Sequence, residues 1–192
     1  VTQNFGDHPE FSWQLGTGHL GRDYAPPEGT ACVAIADGTV RFSGWGTDLT
    51  EGQCNEWMMV YQATPPAIYT IIEHDGWFSM YAHLSNAPLN AGDRVARGQI
   101  VGYTGHTGHV VPAGPQGSHL HFELFTTPCS NQPPYSRYNP VLQINQENST
   151  SGVSAQASSI TPIPQEATLS AAEVDAIVAE ANKQHEVTRQ LI

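Results

Sequence analysis

Basic residues are scarce in this chain. Seven Lys and Arg stand against 18 Asp and Glu in 192 residues, a formal net charge of −11. Such a balance offers no stripe of cations to neutralise phosphates, which excludes nucleic acid as a partner and an anionic bilayer as a docking surface. Long apolar runs are missing too. No stretch of eighteen apolar residues occurs, so membrane insertion is excluded. Cysteine is limited to 3 residues with no Cys-x-x-Cys spacing, which rules out a closed thiolate zinc site. His185-Glu-Val-Thr-Arg189 opens like a helical HExxH zinc motif, but Arg189 stands where the second imidazole is required. The chain starts at Val1-Thr-Gln-Asn-Phe5 without methionine or a leader and therefore reads as a mature or trimmed product.

The few cysteines still carry information. Cys32 lies in the apolar run Ala31-Cys-Val-Ala-Ile-Ala36 and is expected to be a small buried hydrophobe. Cys54 and Cys129 sit in polar, loop-like surroundings, so a Cys54–Cys129 disulfide is expected, and with it an oxidising compartment.

Short runs rich in β-branched and aromatic residues dominate the first three-quarters of the chain. Thr30–Ala36, Thr39–Gly44, Glu56–Gln62, Ile68–His74, Trp77–His83, Ile100–Thr104 and His119–Phe125 read as strands, with Asp37-Gly38 and Asp75-Gly76 as hairpin signals. No helix-period segment interrupts them, and Asp48–Asn55 reads as a surface insertion. The expected fold is all-β and mainly antiparallel. With 39% hydrophobic residues, one good core can form, giving one domain over 1–144. Residues 145–168 turn to Ser, Thr, Gln and Pro and read as a linker. Over 169–192, Ser170-Ala-Ala-Glu173 forms a capping box, and Val174, Ile177, Val178 and Ala181 recur at helical spacing, which predicts an amphipathic helix.

Two histidine spacings carry the chemistry. Side chains alternate across a strand, so His119 and His121 share one face while Leu120, Phe122 and Leu124 take the other. His19, Gly21 and Asp23 obey the same period. If the two segments run as neighbouring strands, His19, Asp23 and His121 converge with no helix involved, and His119 lands beside them. Two imidazoles and one carboxylate form the ligand set of a catalytic zinc, since a fourth coordination position lacks a protein donor and is left to water. Either spacing alone is more simply a pair of half-exposed histidines. Among the others, His74 precedes a turn and is expected to bond locally, while His8, His106 and His109 read as turn or surface residues. His83 ends the strand Trp77-Phe-Ser-Met-Tyr-Ala-His83, where period two groups it with Trp77, Ser79 and Tyr81.

Read together, Gly18-His-Leu-Gly-Arg-Asp-Tyr24, Gly29-Thr30, Ala36-Asp-Gly-Thr-Val40, Tyr81-Ala-His-Leu-Ser85, Ala91-Gly-Asp-Arg-Val95, Arg97-Gly-Gln-Ile100 and Ser118-His-Leu-His-Phe-Glu123 resemble the lysostaphin-like zinc metalloendopeptidases. The resemblance covers about residues 16–126. It implies that His19, Asp23 and His121 bind Zn2+ and that His83 and His119 are the two catalytic histidines. The implied substrate is a peptide cross-link of bacterial cell-wall peptidoglycan or a glycine-rich protein, and the implied setting is extracellular or periplasmic. The chain departs from the family in two places. Trp13 stands where members often have a tyrosine, and the turn before the second histidine pair is lengthened to Gly105–Gly117.

The expected activity is zinc-assisted peptide hydrolysis by a monomer. With no HExxH glutamate to act as base, proton transfer falls to imidazole, whose pKa lies near working pH. Two other readings lack catalysis: a silent relative that binds wall peptides or activates a separate hydrolase, and a zinc-holding interaction domain. Either would be expected to have lost a ligand or a catalytic histidine. This chain keeps all five.

Overall fold

The structure, a computed structural model, describes residues 1–8, 18–60, 62–132 and 134–145. The chain divides into two compact units, and the described residues all belong to the first, Val1–Ser154. Trp13, nearly all of the expected linker and the expected C-terminal helix lie outside the described residues. Among the described residues, no helix is long and apolar enough to cross a membrane.

The described residues form ten strands: β1 Arg22–Tyr24, β2 Ala31–Val33, β3 Gly38–Trp45, β4 Ile68–Glu73, β5 Phe78–Ala82, β6 Leu84–Asn86, β7 Arg94–Val95, β8 Ile100–Thr104, β9 Leu120–Phe125 and β10 Arg137–Tyr138; of these β2, β3, β4, β5, β8 and β9 fall on six of the seven expected runs. The larger sheet has the order β1-β9-β5-β4-β3-β7, with β10 also on β9, and the smaller one the order β2-β8-β6. Every pairing is antiparallel.

Register decides which side chains meet. Across β5 and β9, Ala82 opposes His121, Tyr81 opposes Phe122 and Met80 opposes Glu123. The two-residue period then sends Tyr81, Phe122 and Leu124 into one core with Val40 and Ile72, closed by Cys32, Leu84 and Val101 of the smaller sheet and by Ala34 just past β2. Two buried hydroxyls tie these layers together. Tyr81 accepts from the Ile35 amide at 3.2 Å and donates to the Val33 carbonyl at 3.1 Å, and Thr70 donates to the Val101 carbonyl at 2.8 Å. The opposite face of the larger sheet carries Phe42, Ile71, Phe78, Met80 and Phe125 under Leu49, Cys54 and Trp57. Glu123 and His121 continue along β9 on that second face.

The helical segment α1, Glu51–Trp57, is where the sequence misleads. Glu56–Gln62, expected as a strand, contains its last turn and the left-handed cap at Met58 instead. Thr50 and Gln53 form a capping box, with the Gln53 amide donating to the Thr50 hydroxyl at 3.2 Å. Two turns bury only Cys54 and Trp57, too little for a periodic signal. The expected Cys54–Cys129 disulfide is likewise corrected, because Cys32, Cys54 and Cys129 are all free thiols. The polar neighbours Gln53 and Asn55 belong to the outer side of a helix whose inner side buries Cys54. The Cys129 thiol instead donates to the Thr126 carbonyl at 3.6 Å and accepts from Arg137 Nη1 at 3.7 Å. Asp75-Gly76 does join β4 to β5. Asp37-Gly38 leads from one sheet into the other, since β2 and β3 do not pair.

Candidate metal centre

Antiparallel pairing of β1 with β9 places Asp23 directly opposite His121. The N-terminal segment closes the other side of β1, where Gln3 and Asp23 form a bridge. His19 is fixed just upstream, its amide donating to the Asp7 carbonyl and its carbonyl accepting from the Gly6 amide, both at 2.8 Å. His19 Nε2 lies 3.1 Å from Asp23 Oδ1 and 2.9 Å from His121 Nδ1, and His121 Nδ1 lies 2.9 Å from Asp23 Oδ1. One donor atom from each of the three residues falls within 4.8 Å of the others.

The triad fits a zinc ion. Donors about 2.0–2.1 Å from a tetrahedral centre are separated by roughly 3.3 Å, so a small outward relaxation of the three atoms accommodates it. The outer nitrogens are also committed. His19 Nδ1 donates to the Asn4 carbonyl at 3.1 Å, and His121 Nε2 donates to Glu123 Oε1 at 2.9 Å. Each ring therefore turns its remaining nitrogen toward the shared point, as metal-binding imidazoles require.

His83 reaches the same place by a backbone device. Plain alternation along β5 would leave it on the Tyr81 face, but His83 is left-handed, with φ 61°. That conformation ends the alternation. The His83 ring lies 4.7 Å from His119 and 5.8 Å from His121, centroid to centroid. His119 Nε2 is 3.7 Å from Asp23 Oδ2, beside the triad.

Both of these rings hang on one loop, residues 105–118. His83 Nδ1 donates to the Thr107 carbonyl and His119 Nδ1 to the Gly117 carbonyl, each at 2.7 Å. In both, Nε2 is the nitrogen left for chemistry. The Thr107 hydroxyl pins the loop, accepting from the Ile68 amide at 3.0 Å and donating to the Leu84 carbonyl at 2.7 Å. At the far end the chain folds back so tightly that a Cβ on Gly117 would run into the Pro112 carbonyl.

The charges suit a cation. Burial works against ionisation of Asp23, yet hydrogen bonds from His121 and His19 and their positive charge outweigh it and hold the carboxyl well below the usual range. Burial likewise opposes charge on His121. Hydrogen bonds to Asp23 and Glu123 and the charge of both carboxylates prevail, raising its pKa to about 9. His83 goes the other way, pushed down to about 3 by burial and then by the neighbouring His121 and His119. It is neutral at working pH, with a free lone pair on Nε2.

All five residues singled out in the sequence thus meet in one cluster. His74 instead donates to the Asp37 carbonyl at 2.8 Å, pairs with the Ser79 hydroxyl at 2.8 Å and stacks on Trp77. His106 pairs with Glu28 at 2.9 Å in exposed loops. Sequence reasoning missed the partners that orient the cluster. Glu123 could have been found, since it continues the period of His119 and His121. Arg137, which binds Glu123 Oε2 through Nε at 2.7 Å, comes from β10 and has no local signal.

An antiparallel sheet carrying a buried His and Asp, a half-buried second His and two further imidazoles defines a metallopeptidase type of centre. Residues 17–135 match the profile of Peptidase family M23, and the chain belongs to that family. Glycyl-glycine endopeptidase ALE-1 of Staphylococcus capitis is 34% identical over 117 residues, covering 60% of this chain and 27% of that protein. Peptidoglycan DD-endopeptidase ShyA of Vibrio cholerae is 32% identical over 107 residues, covering 55% and 20%. The chain thus spans about a fifth to a quarter of the length of these two relatives. The solved catalytic domain of lysostaphin from Staphylococcus simulans superposes with a TM-score of 0.53 at 26% identity, over 74% of this chain and 90% of that one.

Proposed function

We propose that the chain is the catalytic part of a zinc metalloendopeptidase that hydrolyses peptide cross-links of bacterial peptidoglycan outside the cytoplasm. The observation that carries this reading is the convergence of His19, Asp23 and His121 with His83 and His119 in one cluster, the first two buried and the other three half-buried. His19 Nε2, Asp23 Oδ1 and His121 Nδ1 are the donors that would hold zinc. When bound, zinc supplies Lewis acidity toward a carbonyl and acidifies water.

Proton transfer belongs to His83 and His119. With Nδ1 of each tied to a loop carbonyl, Nε2 takes the proton from the attacking water and returns one to the leaving amine. His119 Nε2 lies 3.7 Å from Asp23 Oδ2, beside the proposed ligands. His83 is kept neutral, and so able to accept, by its burial. Substrate binding rests on contacts close to the centre, because a chain of net charge −11 gains no long-range attraction to anionic wall polymers. No observation favours a silent binding module, since none of the five residues is missing or turned away.

Metal content combined with release of new amines from purified cell wall tests the proposal. Pentaglycine and D-amino-acid cross-linked muropeptides, run in parallel, separate the two bond types named for ALE-1 and ShyA. Stoichiometric zinc with chelator-sensitive amine release is the expected result. A zinc-loaded protein that releases no amine from any of these substrates would overturn it.

A further inference from the structure

The ring of His121 can face the metal with either nitrogen, and something must choose. Glu123 makes that choice through Oε1, which accepts from His121 Nε2 at 2.9 Å and leaves Nδ1 to Asp23 and His19. The Glu123 carboxylate is itself held. Arg137 Nε donates to Glu123 Oε2 at 2.7 Å, while Nη2 donates to the Trp57 carbonyl at 2.8 Å and Nη1 to the Tyr135 carbonyl at 3.1 Å. Side chains of Arg137 and Glu123 are 3% and 7% exposed. Water cannot easily replace either partner.

We propose that Glu123 and Arg137 are a positioning pair for the metal site, locking the His121 ring so that Nδ1 is the donor and anchoring that ring to the end of α1. The inference rests on His121 being a zinc ligand. Arg137 lies past residue 135, where the family match ends, and its Trp57 anchor belongs to the short helix α1. Metal affinity in this chain therefore depends on a contact between two segments that contribute no ligand. Replacing a partner of a metal-binding imidazole typically weakens metal affinity about 10–100-fold, because the ring must be reoriented each time the ion binds.

A buried ion pair also acts on stability, so the test separates the two effects. Glu123→Gln leaves Arg137 buried and unpaired, and is expected to weaken both folding and zinc binding. Glu123→Leu combined with Arg137→Met removes both charges and, with them, the acceptor for His121 Nε2. A neutral pair of similar volume commonly restores stability. Zinc affinity by chelator competition and the visible spectrum of the cobalt-substituted protein are then measured on the double variant, with His121→Ala alongside. The double variant should melt near the wild type as apoprotein, bind zinc about 10–100-fold more weakly and show an altered cobalt spectrum. Wild-type zinc affinity and spectrum in that variant would overturn the proposal and make the pair purely structural. Should it fail to fold, Arg137→Lys answers the question, since its ammonium keeps a charge beside Glu123 but cannot span the Trp57 and Tyr135 carbonyls as well. A folded Arg137→Lys protein with unchanged affinity and spectrum would also refute it. Retention of zinc by His121→Ala would sink the ligand assignment itself, a different failure.

Discussion

Gly21 is the spacer on which convergence of the triad depends. It lies between His19 and Asp23, where β1 presses against β9. An alanine there would put its Cβ 2.5 Å from the Phe122 carbonyl oxygen and 3.0 Å from both Glu123 Cγ and His121 Cε1. Non-bonded carbon prefers roughly 3.5 Å, so β1 has to retreat by roughly 0.5–1 Å. Overpacking of this kind costs about 1–3 kcal/mol. Stiffening of the unfolded chain offsets about 0.4–1 kcal/mol of that. The larger consequence is for the metal, since donor distances in a working site hold to about 0.2 Å. His19 and Asp23 move with β1 while His121 stays on β9, and the three donors no longer close on one point. Gly21→Ala is therefore expected to lose about 1–2 kcal/mol of apoprotein stability and at least about tenfold in zinc affinity. Denaturant unfolding in the presence of chelator gives the first quantity, and competition with a zinc indicator on folded protein gives the second. Wild-type zinc affinity in a folded Gly21→Ala protein would refute the claim that strand spacing sets the donor geometry.

The five clustered residues should divide into two groups. His19→Ala, Asp23→Ala and His121→Ala are expected to lose zinc and turnover together, whereas His83→Ala and His119→Ala keep zinc while the rate falls about 10²–10⁴-fold, as metal analysis and single-turnover rates will show. Because the His121 pKa in the metal-free protein is raised to about 9, its ring is protonated at neutral pH and zinc must displace that proton. Apparent zinc affinity should accordingly rise by about tenfold per pH unit up to about pH 9, which chelator titrations across pH can check. Thiol counting under denaturing, non-reducing conditions should find three reactive thiols, and a count of one would restore the disulfide. Truncation after Asn145 should leave hydrolysis of a small soluble peptide nearly unchanged; a truncated protein that folds and binds zinc but lacks activity would show that the remainder completes the site.

How much of this was legible depended on which interactions leave a mark in one segment. His19 with Asp23 and His119 with His121 were readable because a strand has a two-residue period, and the β1–β9 register met the alternation with no adjustment. His83 was pointed to the site only by the family resemblance, since alternation put it with Tyr81 and its left-handed backbone is what brings it to His119. Helix α1 was hidden by its brevity, although Thr50 and Gln53 spelled out its cap. The carbonyls of Asn4, Thr107 and Gly117 were invisible in principle, because every residue carries the same acceptor and only the fold decides which one meets an imidazole. Arg137 pairs with Glu123 through tertiary packing alone.

The loop over 105–118 ties two things together that a protein engineer would want to vary separately. Its length is one of the two departures from the resembled family pattern, which makes it an obvious segment to exchange when seeking a new cleavage preference. Yet its two ends hold the two imidazoles, His83 and His119, that are proposed to move protons. A transplanted loop that improves recognition of some other cross-link would release both rings at once unless it also reproduces a carbonyl under His83 and another under His119. Variation here is therefore expected to proceed by changes at the exposed middle, such as His109 and Val111, with Thr107 and Gly117 left in place as fixed posts.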